Sequence, residues 1–304
     1  MSRRARAATV VLAAVASATV RAEVADPGCG TYVESAVQTG RTSRALPELS
    51  GLAASRRHRG IFWAHNDSGN AFTIHAMRED GSVVASFPVL DADAVDPEDI
   101  ALGPCAPRDA RSCLYVADVG DNLRTRARAQ IIRVVEPLTL RSSPLIGESF
   151  AFTYPDHAHD AEAILVDPRT ADVIVVTKSL MSLGDAYRVD VHGKPRRQAA
   201  VHVATLSAPS GFDSLVTGAS VHPSGTRVLL RTYRGLWEYR LPGARDLAEV
   251  LHATPRDVPA GRLLQGEAVS YTADGTSYLL GGEGSSTAIF RVDCRPEAKP
   301  AAGR

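Results

Sequence analysis

Five short runs in this chain begin alike, with a polar residue followed by an apolar, strand-like segment. The openings align at Ser50, Glu98, Glu162, Thr217 and Glu267, at spacings of 48, 64, 55 and 50 residues. A period near 50 is the mark of a repeat architecture, in which each unit buries its apolar faces only by stacking on its neighbours. In the first unit, strand-like runs fall at Glu48–Ala53, Ile61–Ala64, Ala71–Met77 and Val83–Val89. β-Branched and aromatic residues fill these runs, Gly, Asn and Asp mark the breaks, and no helical period is present. Four strands per unit at this period predict an all-β fold, a five-bladed β-propeller. The run Asp246–His252, in the fourth unit, is the least strand-like and has helical character. The fifth unit holds three runs before the chain ends, so the N-terminal run Tyr32–Val37 is expected to supply its outer strand. Closing the ring with N- and C-terminal strands removes its open edges. The long second unit leaves six blades as the alternative.

The cysteines bear on the same closure. Cys29, Cys105, Cys113 and Cys294 form an even set, which in an exported chain suggests two disulfides. Of the three possible pairings, one joins Cys105 to Cys113 as a local clip and Cys29 to Cys294 across the chain ends. Only that last pair would lock a ring. Export itself is read from residues 1–22, where Arg3, Arg4 and Arg6 precede an apolar run ending at Val20-Arg21-Ala22. That is the pattern of a cleaved signal peptide, an uncleaved anchor being the competing reading. The expected organisation is a signal peptide at 1–22, one propeller domain at 23–296 and a disordered tail at 297–304. The expected product is monomeric, periplasmic or extracellular, without an integral membrane span in the mature chain. Lys plus Arg and Asp plus Glu both number 34. That balance gives no support to nucleic-acid binding, and the clusters Arg124, Arg126, Arg128 and Arg196, Arg197 read as solvated loop faces.

In a propeller the start of each first strand and the end of each second strand lie on one rim, because antiparallel neighbours run in opposite directions. That rim then collects Glu98, Asp99, Asp160, Glu162 and Glu267 from first strands. Second-strand ends add His65, Asn66, Asp67, Asp118, Asp121, Asn122, Lys178, Arg231 and Glu283. Crowded carboxylates stay ionised only beside a compensating cation. Ca²⁺ or another divalent cation, which takes oxygen ligands, meets that need. The candidate ligands are Glu98, Asp99, Asn122, Glu162, Glu267 and Asn66, with His65 and Lys178 as candidates for proton transfer or anion stabilisation. The competing reading makes these acids strand caps that pair with Arg and Lys between blades. Asp99 stands apart, because its equivalents are Gly51, Ala163, Gly218 and Ala268. The run His65–Asn70 has the composition of a polar turn. There is no Gly-x-Ser-x-Gly elbow, and Gly282-Glu283-Gly284 lacks the following helix of a nucleotide cradle. His157 and His159 lack an evident zinc partner set and are expected to face solvent.

The runs Glu48–Ala53, Trp63–Gly69, Pro97–Ala101 and Asp118–Asn122 resemble the blade openings of exported bacterial β-propeller proteins. That group is distantly similar to phytase-like, esterase-like and SdiA-regulated propellers, and the resemblance spans residues 48–292. The chain is also similar to the gluconolactonase class, in which Glu, Asn and Asp at the channel hold a divalent metal that polarises a lactone carbonyl. Glu98, Asn122 and Glu162 fall at comparable rim positions, although the order of that class's motif is not matched. The resemblance implies metal-dependent ester, lactone or phosphoester hydrolysis on a small-molecule or polymeric substrate. The alternative is a non-catalytic propeller of the cell envelope that binds protein or glycan.

Overall fold

A strand covered on both faces needs no polar side, and the third unit's Val173–Thr177, Val-Ile-Val-Val-Thr, is buried along its whole length. Such runs identify fully buried strands, and here they stack face to face. The structure is a computed structural model and describes residues 29–193, 198–207 and 212–296. The expected signal peptide, the expected tail, and Arg196 and Arg197 lie outside the described residues.

Five sheets follow one another along the chain, antiparallel except that the two-residue edge strands Leu145–Ile146 and Gln198–Ala199 pair parallel with the outer strands of the first and second. The first is built from Leu49–Ala54, Ile61–Asn66, Thr73–Arg78 and Val83–Leu90. The second takes Pro97–Pro104, Ser112–Asp118, Ala129–Val135 and Glu148–Thr153. The third takes Ala161–Val166, Val173–Thr177, Asp185–Val189 and Val201–Thr205. The fourth has Val216–Val221, Arg227–Thr232, Leu236–Arg240 and the short Arg256–Asp257. The fifth has Gly266–Tyr271, Ser277–Gly282 and Ala288–Pro296. The first strands touch one another in chain order, and the fifth touches the first, so the ring is closed with five blades rather than six.

The hydrophobic core is divided in the same way, with one cluster at each blade-to-blade contact. Trp63 and Phe87 of the first blade pack with Ile100 and Leu114 of the second. Phe150 and Phe152 meet Val175 and Tyr187 of the third, and Ile174 and Val176 meet Leu230 and Tyr239 of the fourth. Leu229 and Leu236 meet Tyr271 and Tyr278 of the fifth, whose Ala268 and Leu279 return to Leu49 and Phe62 of the first. Among the described residues no blade has a core of its own, as expected of a repeat whose units cannot fold singly.

The N-terminal segment closes the ring, though not as one strand over Tyr32–Val37. Cys29–Tyr32 and Val37–Arg41 both pair antiparallel with Ala288–Pro296, and the residues between them leave the ladder. Tyr32, the last residue of the first of these strands, is buried, and its hydroxyl donates to the buried carboxylate of Glu238. Cys29 is bonded to Cys294 across 265 residues, and Cys105 to Cys113 across 8. The helical character of Asp246–His252 is realised as Leu247–Leu251, with the Asp246 side chain accepting from the Glu249 N–H at its N-terminus. Among the described residues no helix is long and apolar enough to cross a membrane.

Candidate functional site at the acidic mouth

The register of every first strand slips at one residue. The slips fall between Leu49 and Gly51, Pro97 and Asp99, Ala161 and Ala163, Val216 and Gly218, and Gly266 and Ala268. The skipped residues are Ser50, Glu98, Glu162, Thr217 and Glu267, the five openings of the repeat. A bulge leaves its residue outside the ladder and re-aims the side chain. The two hydroxyls use that freedom to join neighbouring blades: Ser50 Oγ donates to the Glu98 carbonyl, and Thr217 Oγ1 to the Gly266 carbonyl at 2.8 Å. The three glutamates point their carboxyls into the mouth instead.

Glu98 does not stand alone there. Oxygens of Asp67, Asp96 and Glu98 lie within 4.8 Å of one another. Asp67 comes from the turn after the second strand of the first blade, and Asp96 from the entry to the second blade. Gly120 forms the wall of this group. A Cβ at that position would lie 2.0 Å from Glu98 Oε1 and 2.5 Å from Asp96 Oδ2, so a side chain there would fill the cradle. The Gly120 loop is held by its own N–H to the Asp96 carbonyl at 3.1 Å and by Arg126, which donates to the Gly120 carbonyl at 2.8 Å. Arg126 also pairs with buried Asp118 at 3.0 Å, unlike exposed Arg124 and Arg128, so only part of that arginine cluster is a solvated face.

Electrostatics follow from the crowding. Burial, and then the charges of Glu162, Asp67 and Asp96, push the Glu98 carboxyl far above its ordinary range. Burial likewise raises Glu162, against the opposing pull of Lys178. Lys178 Nζ lies 2.6 Å from Glu162 Oε1 and 3.0 Å from the hydroxyl of Tyr233. Glu267 is raised to about 9 by burial and by Glu162 and Glu283. Asp67 and Asp96 are raised too, chiefly by burial. Arg231 is fully buried nearby and donates to the Ala260 carbonyl at 2.6 Å, burial lowering it to about 10 against the pull of Glu267.

The other expected site residues are placed differently. Asp99 is wholly buried on the axis: Oδ1 accepts from the Ile100 N–H at 2.8 Å, and Oδ2 from Ile164 and Ala219 at 3.0 Å each. His65 is buried, its Nδ1 2.9 Å from the Asn66 carbonyl, and burial lowers it to about 4, so it is neutral at pH 7. Its Nε2 lies against the first strands, where a Cβ on Gly51 would come within 2.7 Å of it. Asn66 accepts from the Glu48 N–H and donates to the Ala45 carbonyl, spending both ends of its amide on the backbone. Asn122 is exposed on the loop beyond Asp121. Asp121 accepts from the Thr125 and Arg126 amides, and its own N–H donates to Asp160 at 2.9 Å. Asp96, Gly120 and Tyr233 were not among the candidate ligands or proton-transfer residues read from the sequence. The signal that could have found Asp96 and Gly120 is a glycine set between acids, in Asp118-Val119-Gly120-Asp121, opposite the Asp96-Pro97-Glu98 opening.

A cavity of about 580 Å³ lies on the opposite rim, beside Arg56, Arg57, Arg59, Asp274 and Arg291. It holds none of the carboxyls raised at the mouth, and perturbed groups gathered in one place are the better indicator of chemistry. The strand order and the closed ring define this chain as a five-bladed β-propeller. No protein-family model matches it, and no curated protein sequence does. Among solved structures it is similar to the soluble aldose sugar dehydrogenase of Escherichia coli in its apo form, at 10% identity and a TM-score of 0.47, over 86% of this chain and 99% of that one. It is also similar to a gluconolactonase of Xanthomonas campestris, at 12% identity and 0.47, over 88% and 98%. The Cps50 (Swd1) β-propeller domain of Myceliophteria thermophila aligns at 12% identity and 0.42, over 80% and 82%. Likenesses this distant say nothing about activity.

Proposed function

We propose that this chain is an exported, monomeric propeller, residues 23–296 after loss of a signal peptide at 1–22, whose mouth binds a divalent cation for hydrolysis. Ca²⁺ is the first choice of cation, and an ester, lactone or phosphoester the substrate class. Membership of the exported bacterial group that its openings resemble is part of the same proposal. The observation that carries it is the Asp67, Asp96 and Glu98 group, three carboxylates within 4.8 Å with a glycine-walled cradle beside them. The donor set is all oxygen, which suits a hard cation. Two disulfides support an oxidising compartment.

Asp67, Asp96 and Glu98 are the ligands of this reading, with Glu162 and Glu267 at its edge; Asn66 and Asp99 are engaged elsewhere, and Asn122 is exposed on its loop. A cation bound there supplies Lewis acidity and lowers the pKa of a coordinated water. The chain's own groups do the rest. Lys178, held by Glu162 and Tyr233, presents an ammonium to a developing anion. Glu162, with its carboxyl raised by burial, can hold a proton near neutral pH and release it to a leaving group. Buried His65 braces the turn that carries Asn66 and Asp67 and is not a proton carrier.

The test is calorimetric titration of chelator-stripped protein with Ca²⁺, Mg²⁺ and Mn²⁺, beside an ester, lactone and phosphoester screen with and without each ion. Saturable binding that Asp96→Asn abolishes, together with chelator-sensitive turnover, is the expected result. Folded protein that binds none of the ions sinks the reading. Binding without any turnover selects the protein- or glycan-binding alternative.

A further inference from the structure

We propose a second, chemically different metal site, formed by Asp156, His157 and His159 on the loop from the second blade to the third, and suited to Zn²⁺ rather than Ca²⁺. It shares no residue with the acidic mouth and does not depend on that reading.

One ligand atom from each of the three side chains falls within 4.8 Å of the other two. The Asp156 carboxylate lies 3.1 Å from His157 Nδ1 and 3.0 and 3.1 Å from His159 Nε2. The two imidazole centroids are 4.2 Å apart. A nitrogen from each ring and the oxygens between them therefore converge on one point. Imidazole nitrogens with one carboxylate favour Zn²⁺ and its transition-metal neighbours, whereas Ca²⁺ takes oxygen. Three protein ligands leave a coordination position open.

The surroundings hold this arrangement in place. The His159 side chain is only 12% exposed. Its ring packs edge-on against Tyr154 with centroids 4.8 Å apart, and the hydroxyl of Tyr187 is 3.2 Å from its Nε2. Tyr154 in turn packs on Tyr187 at 5.0 Å, and its buried hydroxyl has no hydrogen-bond partner among the described residues. At its C-terminal end the loop is anchored by Asp160, whose carboxylate accepts from the Asp121 N–H. A cavity of about 220 Å³, lined by Tyr154, His157, His159, Asp121 and Arg126, adjoins the cluster and has room for an exogenous ligand. The expectation of a solvent-facing histidine pair is thus met by His157 alone, 63% exposed, while His159 is held between two tyrosines.

The experiment titrates chelator-stripped protein with Zn²⁺ by calorimetry and with Co²⁺ by visible absorption, in excess Ca²⁺ to fill the mouth. The expected result is one saturable Zn²⁺ site that Ca²⁺ does not compete for, and a Co²⁺ ligand-field band. His157→Ala and His159→Gln should each weaken Zn²⁺ by at least about tenfold and remove the band. Asp67→Asn with Asp96→Asn should leave both unchanged. Melting curves confirm that each variant is folded, and exposed His157 makes its variant the safer probe. Absence of Zn²⁺ binding in the wild-type protein overturns the proposal, as does binding that survives both histidine substitutions.

Discussion

Glu98 lies at a bulge and sends its carboxyl outward, beside Asp67, Asp96 and Glu162, whereas Asp99, the next residue, sends its carboxyl inward to the axis. The two acids are neighbours in the chain and differ in what surrounds them. Glu98 meets like charges, so burial and repulsion favour its protonated form. Asp99 meets three backbone N–H groups, at Ile100, Ile164 and Ala219, taken from three first strands. The positions equivalent to Asp99 are Gly51, Ala163, Gly218 and Ala268, small residues that leave room for a single carboxyl on the axis. The comparison separates an acid that joins blades from an acid set among other acids, and a shift in pKa does not by itself tell them apart. Burial raises Asp99 as well, against the pull of its three amides.

The sharpest way to break this comparison is Asp99→Ala. It leaves the Ile164 and Ala219 amides buried without their acceptor, at about 1–3 kcal/mol each. Denaturant unfolding should therefore show a loss of about 2 kcal/mol or more with no change in intrinsic cation affinity. A smaller loss than about 1 kcal/mol would mean that the axis does not need its carboxyl.

A pH series tests the mouth as a whole. Glu267 is raised from an ordinary 4.5 to about 9, so the folded state keeps a proton that the unfolded state has released. Its contribution is full below about pH 4.5 and is lost as pH rises toward about 9. In chelator, stability should fall across that window by at least about 1 kcal/mol. Saturating Ca²⁺ should flatten the fall, because it favours the ionised carboxylates. A melting temperature in chelator that rises steadily over the same range contradicts the crowded-acid account.

The smallest expected effect is that of Glu98→Gln without cation. Burial and the neighbouring acids favour the protonated form of the wild-type carboxyl, so the amide is close to a replacement in shape, and stability should change by less than about 1 kcal/mol. The same variant should lose the rise in melting temperature that Ca²⁺ gives the parent protein. A large destabilisation in chelator would place Glu98 with Asp99 among the acids that hold the blades together.

Much of the architecture was legible before the fold was seen, because period and apolar runs are local properties. Ser50, Glu98, Glu162, Thr217 and Glu267 could be aligned as equivalents, and the structure adds that each is the bulged residue of its strand. The ring-closing Cys29–Cys294 bond was foreseeable because only one pairing agrees with closure. The break in pairing between Tyr32 and Val37 was not, since it is set by the register of both segments against Ala288–Pro296, at the far end of the chain.

The mouth was legible as a region and not as a set of contacts. Rim membership follows from strand direction, and on that basis Asn66, Asp67, Glu98 and Asn122 look alike. Side-chain direction separates them: Asn66 turns back to the Glu48 and Ala45 backbone, Asn122 faces solvent, and Asp67 swings toward Glu98. Likewise His157 and His159 gain partners only because the loop folds Asp156 between them and Tyr187 comes in from the third blade. By itself the sequence determined the repeat, the closure and the acidity of one rim, since these follow from patterns along the chain. Which carboxyl faces another, and which faces a backbone amide, was decided only when the blades packed, because that depends on angles and distances between strands far apart in the chain.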